Sequence, residues 1–129
     1  MSRDPHKLEA FVLADALVVD VYRGTRGWPM EKRFGLQSQI RRGAVSVTAN
    51  LVEGSARRSE RDYLHFVATA IGSASEVRYL IELAVRLGYM EVPAGEQLRH
   101  RYDRVIRALQ SLVTALTAGR GPKPEVRGP

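Results

Sequence analysis

The sequence predicts an all-α protein, an up-down-up-down antiparallel four-helix bundle, on three observations. Apolar residues recur every three or four positions along most of the 129 residues, which is the period of one helix face. Alternating apolar and polar runs, the mark of a half-buried strand, are nearly absent. Glycine and proline interrupt the periodic stretch near residues 24–29, 54 and 88–93, dividing it into four. Connections that short make successive helices antiparallel neighbours.

The first helix is expected over residues 5–23, with Pro5 suited to its first turn. Leu8, Phe11, Val12, Val18, Val19 and Tyr22 give one apolar face, and Ala10, Leu13, Ala14, Leu17 and Val21 fill most of the remainder. Between residues 10 and 22 only Asp15 and Asp20 are polar. A surface helix of a monomeric bundle carries a polar stripe. This one is therefore expected to be central, or covered on one side by its own bundle and on the other by a second subunit.

The second helix is expected over 30–54, after Gly24–Pro29 breaks the first. Leu36, Ile40, Ala44, Val47 and Leu51 form its core stripe. A polar stripe of the same period runs beside it: Gln39, Arg42, Ser46, Asn50 and Glu53. The third helix is expected over 59–87. Ser59 with Asp62 three residues on makes a capping box in which Asp replaces Glu. Tyr63, Phe66, Val67, Ala70, Ala74, Val77, Ile81 and Ala84 mark its core face, and Gly88 ends it. The small residues 72–75 are expected to let a neighbouring backbone come close. The fourth helix is expected over 93–118, with Leu98, Tyr102, Val105, Leu109, Leu112, Val113 and Leu116 inward and an arginine-rich outer face. Residues 1–118 make one domain. Residues 119–129, with three glycines, three prolines and three basic groups, are expected to form a flexible basic tail.

Composition narrows the function classes. The chain is 44% hydrophobic and 26% charged, a foldable balance, and has no cysteine. Disulfides, zinc fingers, iron–sulfur clusters and cysteine nucleophiles are excluded. The longest apolar run is too short and too charged to cross a bilayer, and the first residues lack a signal-peptide pattern. A cytoplasmic location is the expectation. Net charge is +6 and the pI is about 10.2. Residues 99–129 hold seven basic against two acidic groups, while residues 1–98 hold thirteen against twelve. A clustered basic surface attracts phosphate polyanions. The up-down topology places the N-terminus, the second turn and the tail at one end, which gathers Arg3, Lys7, Arg57, Arg58 and Arg61 with the basic tail. Arg57, Arg58 and Arg61 are one candidate nucleic-acid site; Arg101, Arg104 and Arg107 of the fourth helix are the other.

Catalytic and metal constellations are weak. His6, His65 and His100 are scattered, and Asp62 with His65 has no second copy to complete a di-metal site. No Gly-x-Ser-x-Gly elbow or phosphate loop is present. No enzyme activity, metal or cofactor is expected. The polar stripe has two readings, a binding groove or hydrogen bonding between the second and third helices, and the structural one is favoured because buried polar networks fix register. With the turn near Ala56, Asn50 is expected near Tyr63, Ser46 near Phe66, and Gln39 near Ser73, with Glu76 reaching toward Gln39 or Arg42.

The run from Gln39 to Gly54, with Arg42, Ser46, Asn50, Glu53 and Gly54 at fixed spacing, resembles the signature of the bacterial four-helix-bundle protein family. That family includes proteins encoded in intervening sequences of large-subunit ribosomal RNA genes. The accessory variability determinant proteins of diversity-generating retroelements are similar. Val21-Tyr22 with Thr25, Trp28-Pro29 with Glu31, Gly72-Ser73 with Glu76, and Leu87-Gly88-Tyr89 extend the resemblance over residues 8–116. It implies a four-helix subunit, a barrel-like homopentamer, and basic surfaces that engage RNA or DNA and a protein partner such as a reverse transcriptase. Gly43 stands where alanine is usual in the family. Thr48 stands where many members have proline, and is expected to leave its helix straighter. The reading that follows is a non-enzymatic oligomeric binding protein for nucleic acid; the alternative is a scaffold oligomer that binds a protein.

Overall fold

The computed structural model describes residues 3–118, the side chain of Arg33 excepted. Residues 119–129, and the tail expected there, lie outside the described residues. Among the described residues there is no strand. A 3-10 turn, Pro5–Lys7, leads into α1 (Glu9–Gly24). The single turn α2 (Met30–Lys32) and a π-helical turn (Arg33–Gln37) lead into α3 (Ser38–Ser55), followed by α4 (Glu60–Arg86) and α5 (Val92–Ala118). The long helices pack as a closed square in which α1 touches α3 and α5, and α4 touches the same two. That is the helical bundle the periodicity predicts.

The expected first helix is two pieces. Asp4 accepts a hydrogen bond from the His6 amide at 3.0 Å and caps the short turn. Leu8 is extended (φ −91°, ψ 121°), so α1 proper begins at Glu9. Leu17 and Val21 of α1 are buried in a core that also holds Ile40, Leu51, Ile81, Tyr102 and Leu109. The Tyr102 hydroxyl has no hydrogen-bond partner among the described residues, and burial drives its pKa well above the ordinary tyrosine range.

The expected second helix also differs. Its first part is wound as a π turn, which inserts an extra residue. A long-range contact holds this turn. Gln37 is buried and its Nε2 donates to the Thr25 carbonyl at 2.6 Å. The Thr25 hydroxyl donates to Val21 O at 2.9 Å and accepts from Arg41 Nε at 2.8 Å. Arg41 Nη2 donates to Tyr22 O at 3.1 Å and lies over the Tyr22 ring. The end of α1 is thereby capped by side chains from the turn and from α3. Beyond it α3 is continuous through Thr48, whose hydroxyl donates back to Val45 O.

The α3–α4 seam is the closest in the bundle. A Cβ on Gly43 would meet Val77 Cγ2 at 2.6 Å, and one on Gly54 would meet Phe66 Cβ at 2.7 Å. These two glycines allow close approach from the α3 side, and of the small run 72–75 Ser73 meets Ser46 while Ala74 is fully buried. Gly72 is exposed, with open space where its Cβ would be. The register is two turns away from expectation: Ser46 meets Ser73, and Gly54 meets Phe66 and Tyr63. The link Ala56–Ser59 continues past the end of α3 before reversing, so the first turn of α4 overhangs it. Arg3 fills that step. Its amide donates to Ser55 O at 2.7 Å and its guanidinium lies 3.9 Å from the Tyr63 ring centre. Ser59 caps α4 through the Asp62 amide at 3.0 Å, as the capping box predicts.

Candidate functional site

The polar stripe separates into three parts. Its floor joins the two helices: Ser46 Oγ and Ser73 Oγ are 2.8 Å apart, and Asn50 Nδ2 donates to Ser46 O at 2.8 Å and to Ser46 Oγ at 3.1 Å. Its lip is Gln39, Arg42 and Glu76, all exposed around a groove of about 340 Å³. Arg42 makes only a long contact to Ser38, at 3.5 Å. No hydrogen bond crosses from Glu76 to Gln39 or Arg42 among the described residues. Glu53, at the far end, pairs with Arg57 at 3.1 Å. The structural reading thus describes Ser46, Asn50 and Ser73, while the three lip residues face solvent.

The two arginine clusters are in different states. Arg57 is held twice, by Glu53 and by the face of the Phe66 ring at 4.8 Å. Arg58 and Arg61 are exposed, with Glu60 and Asp62 between and beside them. Arg3 lies on Tyr63, and burial raises that tyrosine's pKa against the opposing charge of Arg3. At the same end of the bundle Arg3 and Lys7 line a cavity of about 230 Å³ floored by Leu8, Leu51, Leu112 and Leu116. The sequence places them together, and so does the structure.

On α5 the helical repeat sorts the charges. Arg101 points toward α1 and pairs with Asp20 at 2.7 Å. Asp103 points toward α4 and pairs with Arg78. Arg104 and Arg107 point outward, exposed and without an ion-pair partner among the described residues. Of the three arginines expected to form this site, Arg101 is already engaged and two remain free. The acidic residue that would weaken their field, Asp103, is bound to Arg78. Gln110, Ser111 and Thr114 continue this outer face without charge.

A third surface is apolar. Val12, Val19 and Tyr22 of α1 and Val45 and Val52 of α3 are all more than 40% exposed. Beside them Phe34 is 83% exposed and Met30 63%. Tyr22, Met30, Phe34 and Val45, with Arg41 and Arg42, wall a cavity of about 660 Å³. The second apolar side of α1 is legible in the sequence. Phe34 lies in the π turn and Met30 in the short helix before it, a break in the second helix that the sequence pattern does not announce. Val45, Ala49 and Val52 form an apolar repeat outside the core stripe, a signal the sequence carries.

His65 is exposed and meets Phe66 edge-on, with ring centres 5.5 Å apart. No group of three or more histidine, aspartate or glutamate side chains that could hold a metal is found among the described residues. No described helix is long and apolar enough to cross a membrane.

The family model described as 23S rRNA-intervening sequence protein matches residues 6–111 of this chain. A crystal structure of a protein of unknown function from the S23 ribosomal protein family of Bacteroides thetaiotaomicron has a similar fold. The TM-score is 0.76 at 22% sequence identity, covering 81% of this chain and 95% of that one. Among curated proteins there is no match. At that identity the structural likeness is one of fold alone.

Proposed function

The chain belongs to the 23S rRNA-intervening sequence protein family, and from that membership we propose that it is a non-enzymatic, self-associating protein of the cytoplasm that holds RNA or DNA by the phosphate backbone. One observation carries the nucleic-acid part. Arg104 and Arg107 stand exposed on α5 without an ion-pair partner among the described residues, and the only carboxylate between Arg101 and Arg107 in the sequence is tied to Arg78. Free guanidinium groups on a convex helix bind phosphate without reading bases. Arg58 and Arg61 add to the field at the N-terminal end of α4, against two neighbouring acids. Self-association, as the homopentamer the resemblance implies, multiplies each contact around a ring. The apolar α1/α3 side supports it.

That same apolar side favours a second reading, a scaffold oligomer whose ligand is a protein such as a reverse transcriptase. Fluorescence anisotropy of labelled mixed-sequence RNA and DNA at several salt concentrations separates the two. Each lost phosphate contact lowers the log–log salt slope by about 0.9. Arg104→Glu with Arg107→Glu is expected to lower the slope by roughly two per copy engaged and to keep the helical circular dichroism. Arg57→Glu, Arg58→Glu and Arg61→Glu together are expected to act less, because Arg57 is already paired. Absence of wild-type binding at low salt, or binding indifferent to both sets, would leave the scaffold reading standing.

A further inference from the structure

The fold accounts for only half of the polar groove between α3 and α4. Gln39, Arg42, Ser46 and Asn50 recur on one helical face of α3. Ser46 and Asn50 tie that face to Ser73 across the seam. Gln39 and Arg42 on α3 and Glu76 on α4 stand exposed at the lip. Gln39 and Glu76 make no hydrogen bond or ion pair among the described residues, and Arg42 reaches only Ser38, at 3.5 Å. An arginine and a glutamate therefore flank one depression of about 340 Å³ without pairing.

Each helix brings one serine and, a turn away, one charge: Ser46 with Arg42 on α3, Ser73 with Glu76 on α4. The hydrogen bonds beneath the charges have a direction. Asn50 Nδ2 donates to Ser46 Oγ, and the two serine hydroxyls share one further hydrogen bond at 2.8 Å. Two hydroxyls carry two hydrogens. Whichever serine donates to the other, one hydrogen is left over, and no carbonyl takes it among the described residues. The floor and Arg42 are thus donors, Glu76 is an acceptor, and the Gln39 amide serves as either.

This set of groups selects by charge. Phosphate suits Arg42 but meets the Glu76 carboxylate, so nucleic acid is disfavoured in the groove. A metal ion suits Glu76 but finds no group of three acidic or histidine ligands among the described residues. A molecule that carries both charges satisfies both lips. Its carboxylate takes the paired N–H groups of Arg42 and the spare serine hydrogen, and its ammonium donates to Glu76. The volume is at the small end of the ~300–1,000 Å³ of small-molecule sites, which suits a single amino acid or a short homologue.

We propose that the α3/α4 groove binds a small zwitterion of the amino-acid class, its carboxylate toward Arg42 and its ammonium toward Glu76. The site is separate from the arginines of α5 and does not depend on the nucleic-acid reading.

Saturation-transfer NMR on the full-length protein tests this, because it observes the ligand whatever the size of the assembly. The probes are glycine, β-alanine, γ-aminobutyrate and ε-aminohexanoate, which step the two charges apart, with butyrate and butylamine as singly charged counterparts. At least one zwitterion is expected to bind in the millimolar range, and its length then measures the gap between the lips. Butyrate and butylamine are each expected to bind about tenfold more weakly, since each leaves one charged lip unmatched. Arg42→Gln and Glu76→Gln are each expected to weaken the zwitterion about tenfold. Both sites are exposed, so the helical circular dichroism is retained. Arg86→Gln, exposed on α4 outside the groove, is expected to change nothing. Three results would overturn the proposal: no zwitterion bound at tens of millimolar, equal binding by wild type and both groove variants, or butyrate bound as tightly as any zwitterion. The last would make the groove a plain anion site in which Glu76 plays no part.

Discussion

The α1/α3 side and the α4/α5 side share one core and present opposite chemistry outward. The first exposes Val12, Val19, Tyr22, Val45 and Val52, with Phe34 and Met30 beyond them. The second exposes Arg104, Arg107, Gln110 and Thr114 on α5, beside Ala68 and Gly72 on α4. Helix α5 is amphipathic in the ordinary way, one apolar stripe inward and polar groups elsewhere, so the bundle satisfies it alone. Helices α1 and α3 each carry a second apolar stripe that the bundle leaves uncovered. A four-helix fold needs one covered face per helix; the extra stripes serve something outside it.

The largest test breaks that asymmetry. Val19→Asp with Val45→Asp puts a carboxylate on each stripe, and burying an unpaired charge at an interface costs several kcal/mol. Both sites face solvent in the single subunit, so folding is retained. Light scattering is expected to fall from several times 14.4 kDa to 14.4 kDa, with unchanged helical circular dichroism. Arg104→Glu with Arg107→Glu, on the other side, is expected to leave the mass unaltered. Wild-type mass in the doubly charged variant would show that the apolar side is not an interface.

A second test addresses what shapes the apolar side. Arg41 holds the buried Thr25 hydroxyl and the Tyr22 carbonyl, and so fixes the end of α1 beside Phe34. Arg41→Ala leaves the Thr25 hydroxyl its bond to Val21 O, but removes the shorter of the two hydrogen bonds to the Tyr22 carbonyl, leaving it only the 3.4 Å contact from Thr25 Oγ1, and empties part of the cavity wall. A loss of roughly 1–3 kcal/mol in denaturant unfolding is expected. The matching change on the other side, Arg104→Ala, is expected to stay within about 0.5 kcal/mol, as for an exposed residue without partners.

Much of the fold was legible because it is local. The core stripes, the Ser59 cap and the stop at Gly88 (φ +78°) are each set by residues within a turn of one another. What was not legible depends on distant contacts. The π turn is held by Gln37 reaching back to Thr25, and nothing inside residues 33–37 announces it. The α3–α4 register is carried by Gly43 against Val77, Gly54 against Phe66 and Ser46 against Ser73, contacts that a count from the turn cannot see. The candidate sites divide likewise. That Arg57, Arg58 and Arg61 share an end with Arg3 follows from topology. That Arg101 is engaged while Arg104 is free depends on Asp20 in another helix, and arginines three residues apart look alike in a sequence.

A third, smaller test concerns the core between the two sides. The Tyr102 hydroxyl is buried without a partner, and its raised pKa has a definite sign in stability. Below pH about 10 the phenol is neutral in both folded and unfolded chains. Above that value the unfolded chain releases the proton while the folded chain retains it, so stability falls as pH rises. Tyr102→Phe keeps the ring and removes both the orphan hydroxyl and this titration. At neutral pH its thermal midpoint is expected to equal or exceed that of wild type, by up to about 1 kcal/mol in stability. Between pH 9 and 11 the gap is expected to widen in favour of the variant. A variant that loses stability at neutral pH would indicate that the hydroxyl has a partner such as a buried water.

The smallest effect gives the sharpest contrast on the α4/α5 side. Arg101→Gln and Arg104→Gln each remove one positive charge, so the long-range field of the protein changes equally in both. They differ in what the charge was doing. Arg101 and Asp20 form a pair about one-third exposed, side chains at 31% and 37%, the kind worth roughly 0.2–1 kcal/mol. Its loss is expected to lower stability by that amount and to leave nucleic-acid binding close to wild type. Arg104 has no ion-pair partner among the described residues, so its removal is expected to leave stability unchanged and to flatten the salt slope by close to one contact, about 0.9. Denaturant unfolding and anisotropy on the same two variants read the two columns independently. Equal losses of binding would mean that nucleic acid responds only to net charge, and the outer face of α5 would then be a basic surface without being a site.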